Sequence, residues 1–266
     1  MCTLTIAWQV FDDPVVVAAN RDESLDRPAD PPGPFPGEPG VFAPRDLEAG
    51  GTWIGYNDDG VFAGITNRWV EVDGDERRSR GQLVLDCLRE TSAEAAVRGV
   101  EGAVGRDAYA GFELVVADAS AAFLCEWDGR LSVTPLSPGV HVVVNVGAAL
   151  GGGGRVEDRF FAPERRPALG ERQADNARRV RATLTPNPGE SAGAWLDRAA
   201  DVLADHRFGV CVHGEDGDPE APPEGFGTRS SSLLRVGGEP YFAFADGPPC
   251  ETAFRVVIPR ADEGQV

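Results

Sequence analysis

The chain of 266 residues contains no lysine. All 25 basic residues are arginine, and 43 acidic residues give a formal net charge of −18. A surface this acidic repels phosphate backbones and anionic lipids, so we predict that neither nucleic acid nor a membrane is a partner. Acidic, lysine-free chains are typical of halophilic proteins. We therefore attribute the charge to a salty solvent and not to the substrate.

Long hydrophobic runs are also missing. Asp12 and Asp13 interrupt the N-terminal apolar stretch, which lacks basic residues before it, so we predict no signal peptide and a cytoplasmic location. No other stretch approaches the length that crosses a bilayer. A hydrophobic content of 42% is sufficient for a large core, and we predict a single domain over residues 1–266.

Cysteine and histidine are sparse and scattered. The odd number of cysteines and the lack of CxxC spacing exclude a disulfide framework. Cys211 and His213 have the spacing of a metal pair or of a Cys–His dyad, but the sequence shows no further ligands beside them. We therefore predict no metal and no cofactor.

The strand and helix patterns come in separate clusters. Hairpin-like groups of strands interrupted by two groups of helices indicate antiparallel sheets that carry helices, an α+β fold. The Pro- and Gly-rich segment 24–40 and the glycine run 151–154 predict loops. Strands are predicted at 3–10, 14–19, 111–118, 121–127, 130–135, 140–146, 208–213, 229–236, 240–245 and 251–258, with two more within 50–69. Helices are predicted over 80–98, 170–184 and 191–205, and a capping box from Thr91 to Glu94 starts a second turn or helix within the first of these segments.

Cys2 stands directly behind the initiator methionine. Removal of Met1, which is usual before a small residue, would leave Cys2 with both a thiol and a free α-amine. The reference pKa of such an amine is near 8, so it is able to act as general base for the thiol of the same residue. This is the chemistry of an N-terminal nucleophile, and it requires no histidine.

Four polar residues, Asn20 to Glu23, follow the second predicted strand. If residues 14–19 pair antiparallel with 3–10, this segment lies beside Cys2. A neighbouring arginine favours the thiolate, and a neighbouring carboxylate would hold the α-ammonium. We therefore interpret Cys2 and this segment as one site.

Five segments of the chain resemble the NRDE family, whose eukaryotic members are called transport and Golgi organisation proteins. The resemblance is collinear from residue 1 to about residue 236. The family in turn is similar to N-terminal-nucleophile hydrolases such as bile-salt hydrolases and penicillin V acylases. The matching segments are MCTL, NRDE, GGTWIGYNDDGVFAGITNR, VVVNVG and GTRSSSLL.

The resemblance implies a four-layer αββα sandwich of two antiparallel sheets between helices. It implies that Cys2 is the nucleophile, that Asn67 and Asn145 hold the oxyanion, and that Arg229 stabilises the cysteine end of the site. Asn20, Arg21, Asp22 and Glu23 complete it. The order of these four residues departs from the Arg-Asn-x-Asp pattern of the acylases, so either Asp22 or Glu23 is left to bind the amine.

Two functions are compatible with this site. The first is hydrolysis or acyl transfer on a linear, non-peptide amide or thioester, a small-molecule substrate. The second is binding and carriage of haem, lipid or acyl-CoA on the same scaffold without hydrolysis, with Cys2 as a ligand facing the cleft. Both use Cys2, so they compete for one residue.

Overall fold

Two antiparallel sheets stack face to face in a computed structural model that describes residues 2–72, 77–214 and 224–257. Within these residues the first sheet has eight strands. Cys2 directly precedes a strand at the centre of this sheet. The order across it is β12 (Arg155–Phe160), β11 (Gly147–Gly152), β10 (Gly139–Val144), β1 (Thr3–Trp8), β2 (Val15–Ser24), β13 (Phe226–Val236), β14 (Tyr241–Ala245) and β15 (Arg255–Val256).

The second sheet has seven strands in the described part of the chain, and its order follows the sequence. Each strand pairs with the next by a hairpin-type connection or by a longer excursion. The strands are β3 (Ala29–Pro34), β4 (Val41–Asp46), β5 (Ile54–Asn57), β6 (Phe62–Asn67), β7 (Phe112–Ala117), β8 (Ala122–Trp127) and β9 (Leu131–Pro135).

Helices cover the outer face of each sheet. Helices α1 (Arg80–Leu88) and α2 (Ala93–Arg106) pack on the second sheet, and α3 (Pro167–Thr183) and α4 (Ala192–Ala204) pack on the first. One apolar cluster lies between each sheet and its helices, and another fills the space between the two sheets. The predicted α+β sandwich is confirmed. None of the helices in the described residues is long and apolar enough to span a bilayer.

Strand β1 shows how the sequence produces this layering. Leu4, Ile6 and Trp8 alternate with Thr5 and Ala7, so one face of the strand packs between the sheets while the other packs toward α3 and α4. All six residues of the strand are buried. The central position of β1 therefore fixes Cys2, the residue before it, in the middle of the molecule.

Several sequence-based expectations about local structure were wrong. The glycine run forms the end of β11 and the turn to β12, because Gly153 and Gly154 adopt positive φ angles of 57° and 74°. The Pro-rich segment contains β3, which lies at the edge of its sheet, where a missing N–H is tolerated. The second helix expected within segment 80–98 is present as α2, but its N-cap is Ser92 and not Thr91.

Two expected strands near the C-terminal end also differ from the prediction. Segment 208–213 begins with the last residue of a short 3-10 helix, His206–Phe208, and is otherwise irregular. Of the expected strand 251–258 only β15 is formed, and residue 258 lies outside the described residues. Segment 208–213 instead crosses the end of the first sheet, where its main chain bonds with side chains from β2 and β13.

Candidate active site

Cys2 lies beside the polar segment Asn20–Glu23. Strands β1 and β2 pair antiparallel with Thr3 opposite Asn20, so the predicted strand pair is confirmed. The half-buried Cys2 thiol is 3.6 Å from the main-chain oxygen of Asp22, to which it donates. The polar segment does not follow the strand, as we expected, but forms the last part of β2, which pairs on its other side with β13.

The side chain of Asn20 makes hydrogen bonds that stabilise the fold. Its amide nitrogen donates to the main-chain oxygens of Leu203 at 3.1 Å and Val210 at 2.8 Å. Its amide oxygen accepts from the hydroxyl of Ser231. These partners tie β2 to the end of α4, so Asn20 shapes the layer behind the site and has both amide hydrogens engaged.

The two carboxylates of the segment have different surroundings. Asp22 is buried, and its Oδ1 accepts from the Thr228 hydroxyl at 2.6 Å. Burial raises the pKa of Asp22, and the Thr228 hydrogen bond opposes that rise. Glu23 is partly exposed and lies 3.8 Å from Arg21 and 4.0 Å from Arg27. Asp22 is therefore the buried carboxyl group beside Cys2, and Glu23 is a partner of arginines.

Arg21 is held against the second sheet. Its guanidinium lies over the Trp53 ring at 4.2 Å, and its Nη2 is 3.4 Å from Asp46 Oδ2. Burial lowers the pKa of Arg21, while the charges of Glu23, Cys2 and Asp46 raise it. The stacking and the ion pair fix the position of the guanidinium near Cys2.

The Cys2 thiol is not activated by Arg21 alone. Burial raises the pKa of the thiol, and the charge of Asp22 adds to the rise. Arg21 lowers this pKa, as we expected, but its effect is smaller than that of burial. The net effect raises the pKa of the thiol and favours its protonated form, so a reaction at Cys2 requires a base to accept the proton.

A cavity of about 810 Å³ opens beside Cys2. Cys2, Asp22, Asn67 and Asn145 contribute to its wall, so four of the predicted site residues share one cavity. A volume of this order accommodates a small organic ligand. Much of the remaining wall is apolar, with Trp69, Val70, Phe161, Pro163, Leu169 and Phe226.

A second cavity of about 370 Å³ lies on the other side of Cys2. All four residues of the polar segment Asn20–Glu23 line this second cavity, together with Asp46 and Trp53. Only Asp22 of the segment also lines the larger cavity. Its wall is rich in arginine: Arg21, Arg27, Arg77, Arg78 and Arg80.

The two asparagines of the site are linked to each other. Asn67 is the last residue of β6, and Asn145 follows β10. Asn145 Nδ2 donates to the Asn67 main-chain oxygen at 2.7 Å, and Asn145 Oδ1 accepts from Gln173 Nε2 at 2.9 Å. These bonds fix which end of the amide is the donor. The exposed Asn67 side chain borders both cavities.

Arg229 lies elsewhere. Its guanidinium pairs with Asp246 at 2.5 Å, and it lines neither of the cavities that border Cys2. The reason is strand alternation, since Thr228 points toward Asp22 and the next residue of β13 points the other way, at a bulge. The expectation that Arg229 stabilises the cysteine end of the site is therefore not supported by its position.

Arg80 is a cation that sequence reasoning missed. It is the first residue of α1, borders both cavities, and donates to the Gly111 main-chain oxygen at 2.8 Å. Burial lowers its pKa, and the charge of Cys2 raises it. An arginine that starts a helix is usually a solvated surface residue, and no periodic pattern distinguishes this one.

Two glycines bring Arg80 to the site. A Cβ on Gly51 would lie 2.3 Å from the main-chain carbon of Gly81, so the start of α1 approaches the chain before β5 only because Gly51 lacks a side chain. A Cβ on Gly81 would also be crowded, at 3.0 Å from the Thr52 oxygen. The contact is fixed by a hydrogen bond from Thr52 N–H to the Gly81 oxygen at 3.1 Å. The pair of glycines is a signal that could have located this approach.

The sandwich of two antiparallel sheets between helices is similar to the fold of N-terminal-nucleophile hydrolases. Penicillin V acylase from Agrobacterium tumefaciens has this fold, with a TM-score of 0.52 and 15% identity over 92% of this chain and 83% of that one. The C2A mutant of conjugated bile acid hydrolase from Clostridium perfringens gives 0.56 and 10%, over 97% and 92%. Identities this low show a common fold alone.

The chain belongs to the Transport and Golgi organisation 2 family, whose model matches residues 1–150. The Bos taurus Transport and Golgi organization protein 2 homolog is 32% identical over 139 residues, and the Homo sapiens protein is 30% identical over 139 residues. Each match covers 49% of this chain, which spans about half the length of these relatives (50%). The family assignment is confirmed, over a shorter range than the expected 1–236.

Proposed function

We propose that the chain is an N-terminal cysteine hydrolase or acyltransferase that acts on a linear, non-peptide amide or thioester. The observation that carries this proposal is the position of Cys2, where two cavities meet next to the buried Asp22. A protonated thiol in this position needs a proton acceptor, and the α-amine of a processed Cys2 supplies one. Met1 lies outside the described residues, and its removal is part of the proposal.

In the proposed reaction the Cys2 amine takes the thiol proton as the sulfur attacks the substrate carbonyl. The amides of Asn67 and Asn145 donate to the oxyanion, and Asp22 holds the resulting ammonium. The ammonium then gives its proton to the leaving amine or thiol as the bond to the carbonyl breaks. Water, deprotonated by the same amine, releases the acid and restores the thiol.

The walls of the two cavities support a particular substrate shape. Trp69, Phe161 and Leu169 fit an apolar acyl group on one side of Cys2. On the other side, Arg77 and Arg80 fit an anionic leaving group, whereas Arg27 and Arg78 pair with Asp46 and Asp86. We place this activity in the cytoplasm at high salt, with a small molecule as substrate and with neither nucleic acid nor membrane as partner.

The test combines intact mass with a thiol-directed acylating probe. We expect wild-type protein to lack Met1 and to form one adduct at Cys2 faster than at an ordinary exposed thiol, and Cys2→Ala to form none there. The matched control carries one extra alanine between Met1 and Cys2. It keeps the thiol but has no α-amine on Cys2, so it should label slowly. Retention of Met1 in the wild type, or equal labelling of both proteins, contradicts the mechanism.

A second function, carriage of haem, lipid or acyl-CoA, is supported by the volume of the apolar cavity. Titration of wild type and Cys2→Ala with haem and with a long-chain acyl-CoA separates the two functions. Tight binding without turnover, and for haem a loss of the thiolate spectrum in Cys2→Ala, would favour carriage. Hydrolysis of the acyl-CoA by wild type but not by Cys2→Ala would favour the enzyme.

A further inference from the structure

Four metal-ligating side chains meet behind the candidate active site. His206, Cys211, His213 and Cys250 each offer one ligand atom, and these atoms all lie within 4.8 Å of one another. Their contributions come from the 3-10 helix after α4, the irregular segment that follows it, and the loop after β14. Three of the ligands thus lie close together in the sequence, within residues 206–213, and the packing of the loop after β14 adds Cys250.

Three of the four ligand atoms have spacings close to those of a tetrahedral zinc site. The two sulfurs are 3.4 Å apart, His213 Nε2 is 3.7 Å from Cys211 Sγ and 3.1 Å from Cys250 Sγ. Zinc with ordinary Zn–S and Zn–N bond lengths separates two sulfurs by about 3.8 Å and a sulfur from a nitrogen by about 3.6 Å. Shifts of about half an ångström therefore bring these three atoms to the spacing around a tetrahedral zinc ion. The fourth ligand atom, from His206, lies within 4.8 Å of each of them.

We propose that these four residues bind Zn²⁺ in a closed Cys₂His₂ site with a structural role. The two thiols lose their protons to solvent and the two imidazoles bind as neutral ligands, so the site has no net charge. With all four positions taken by protein there is no place for a reacting water. None of the four residues lines either cavity beside Cys2, which also separates this site from the proposed chemistry.

Two other uses of the cysteines agree less well with the cluster. A disulfide requires a sulfur–sulfur distance of about 2.0 Å and gives no role to two converging imidazoles. A Cys–His nucleophile requires a cavity for its substrate, and the described cavities that border Cys2 do not reach it. Zinc uses all four side chains.

The site would fix the layer behind Asp22. Val212, between two of the ligands, donates to Thr228 Oγ1 at 2.8 Å and accepts from the Thr228 N–H at 2.8 Å. The Thr228 hydroxyl in turn donates to Asp22 Oδ1. Zinc would thereby hold the hydrogen-bond partner of the carboxyl group beside Cys2, and the four ligands would be positioning residues for that site.

The test uses the full chain, reduced and freed of metal with a chelator, and then titrated with Zn²⁺ or Co²⁺. We expect one equivalent of metal to bind, two protons to be released, two thiols to become unreactive and Co²⁺ to give the visible spectrum of a tetrahedral dithiolate. Rebinding of zinc should raise the unfolding temperature. This expectation does not depend on the proposed hydrolase function.

Variants assign the ligands. Cys211→Ser and Cys250→Ser should each bind zinc at least about tenfold more weakly, and the matched control Cys2→Ala, which also removes one thiol, should bind normally. Failure of the folded, reduced wild type to bind one equivalent would overturn the proposal even if the variants fail to fold. Equal binding by Cys250→Ser and wild type, or a Cys211–Cys250 disulfide that persists under reduction, would also overturn it.

Discussion

The side chain of Asn145 donates to the main-chain oxygen of Asn67 at 2.7 Å and so joins the two stacked sheets at the wall of the larger cavity. Asn145 follows a strand of the first sheet and Asn67 ends a strand of the second. Asn145 Nδ2 carries two hydrogens, so the bond to Asn67 leaves one of them for another acceptor. Gln173 occupies the amide oxygen of Asn145. An oxyanion donor in this position is oriented before substrate arrives.

We predict that Asn145→Ala lowers the rate of Cys2 acylation by about 10²–10³-fold, the usual effect of removing one oxyanion donor. Gln173→Leu keeps the amide but loses the bond that orients it, so we expect a smaller fall, with kcat affected more than KM. Stopped-flow acylation of the two variants measures the difference. Equal effects of both changes would show that Asn145 acts only through packing.

We predict that replacing Arg80, and not Arg229, slows labelling of the Cys2 thiol. Arg80 borders both cavities and its charge interacts with that of Cys2, whereas Arg229 pairs with Asp246. Arg80→Gln should lower the labelling rate by about tenfold at neutral pH, because one nearby positive charge no longer favours the thiolate. The matched control Arg229→Gln should label at the wild-type rate, and the reverse result would restore the role expected from the resemblance.

We predict that Asn20→Ala lowers the free energy of unfolding by about 2–4 kcal/mol, because the buried oxygens of Leu203 and Val210 lose their donors. Urea unfolding measures this change, and the exposed Asn187→Ala serves as the control. The folded variant should still label at Cys2. Loss of labelling with unchanged stability would instead make Asn20 part of the chemistry.

We predict that Glu113 makes the protein less stable as the pH rises. Burial raises the pKa of this carboxyl group from 4.5 to about 8, although Arg68 opposes the rise. At pH values between 4.5 and about 8, the carboxyl group is therefore protonated in the folded state and ionised in the unfolded state. Its contribution to stability is complete below the unfolded pKa and is lost as the pH rises through about 8.

Glu113→Gln should remove this dependence. Urea unfolding from about pH 5 to about pH 9 should show the variant gaining on wild type as the pH rises, by at most about 5 kcal/mol. The exposed Glu101→Gln, on α2, is the control. Parallel curves for wild type and Glu113→Gln would mean that Glu113 is ionised in the folded protein, paired with Arg68.

Local patterns predicted much of the fold. The alternation in β1, the hairpin to β2 and the strands β7 to β10 agree with the sequence to within about two residues, which is the usual uncertainty of such boundaries. The hairpin at the glycine run was missed because glycine has no apolar side chain to show alternation. Strand β3 was missed because proline argues against strands that are not at an edge.

The sequence by itself determined which strands pair around Cys2, because β1 and β2 are neighbours joined by a short turn and their register follows from the alternation of buried residues. It also determined the acidic composition and the family. Tertiary structure decided which polar side chains share a cavity. Strand alternation separates Arg21 from Asp22 and Arg229 from Thr228, and a close approach of two glycines brings Arg80 in. The cluster of His206, Cys211, His213 and Cys250 arises in the same way, since the distances between its atoms depend on how distant segments pack.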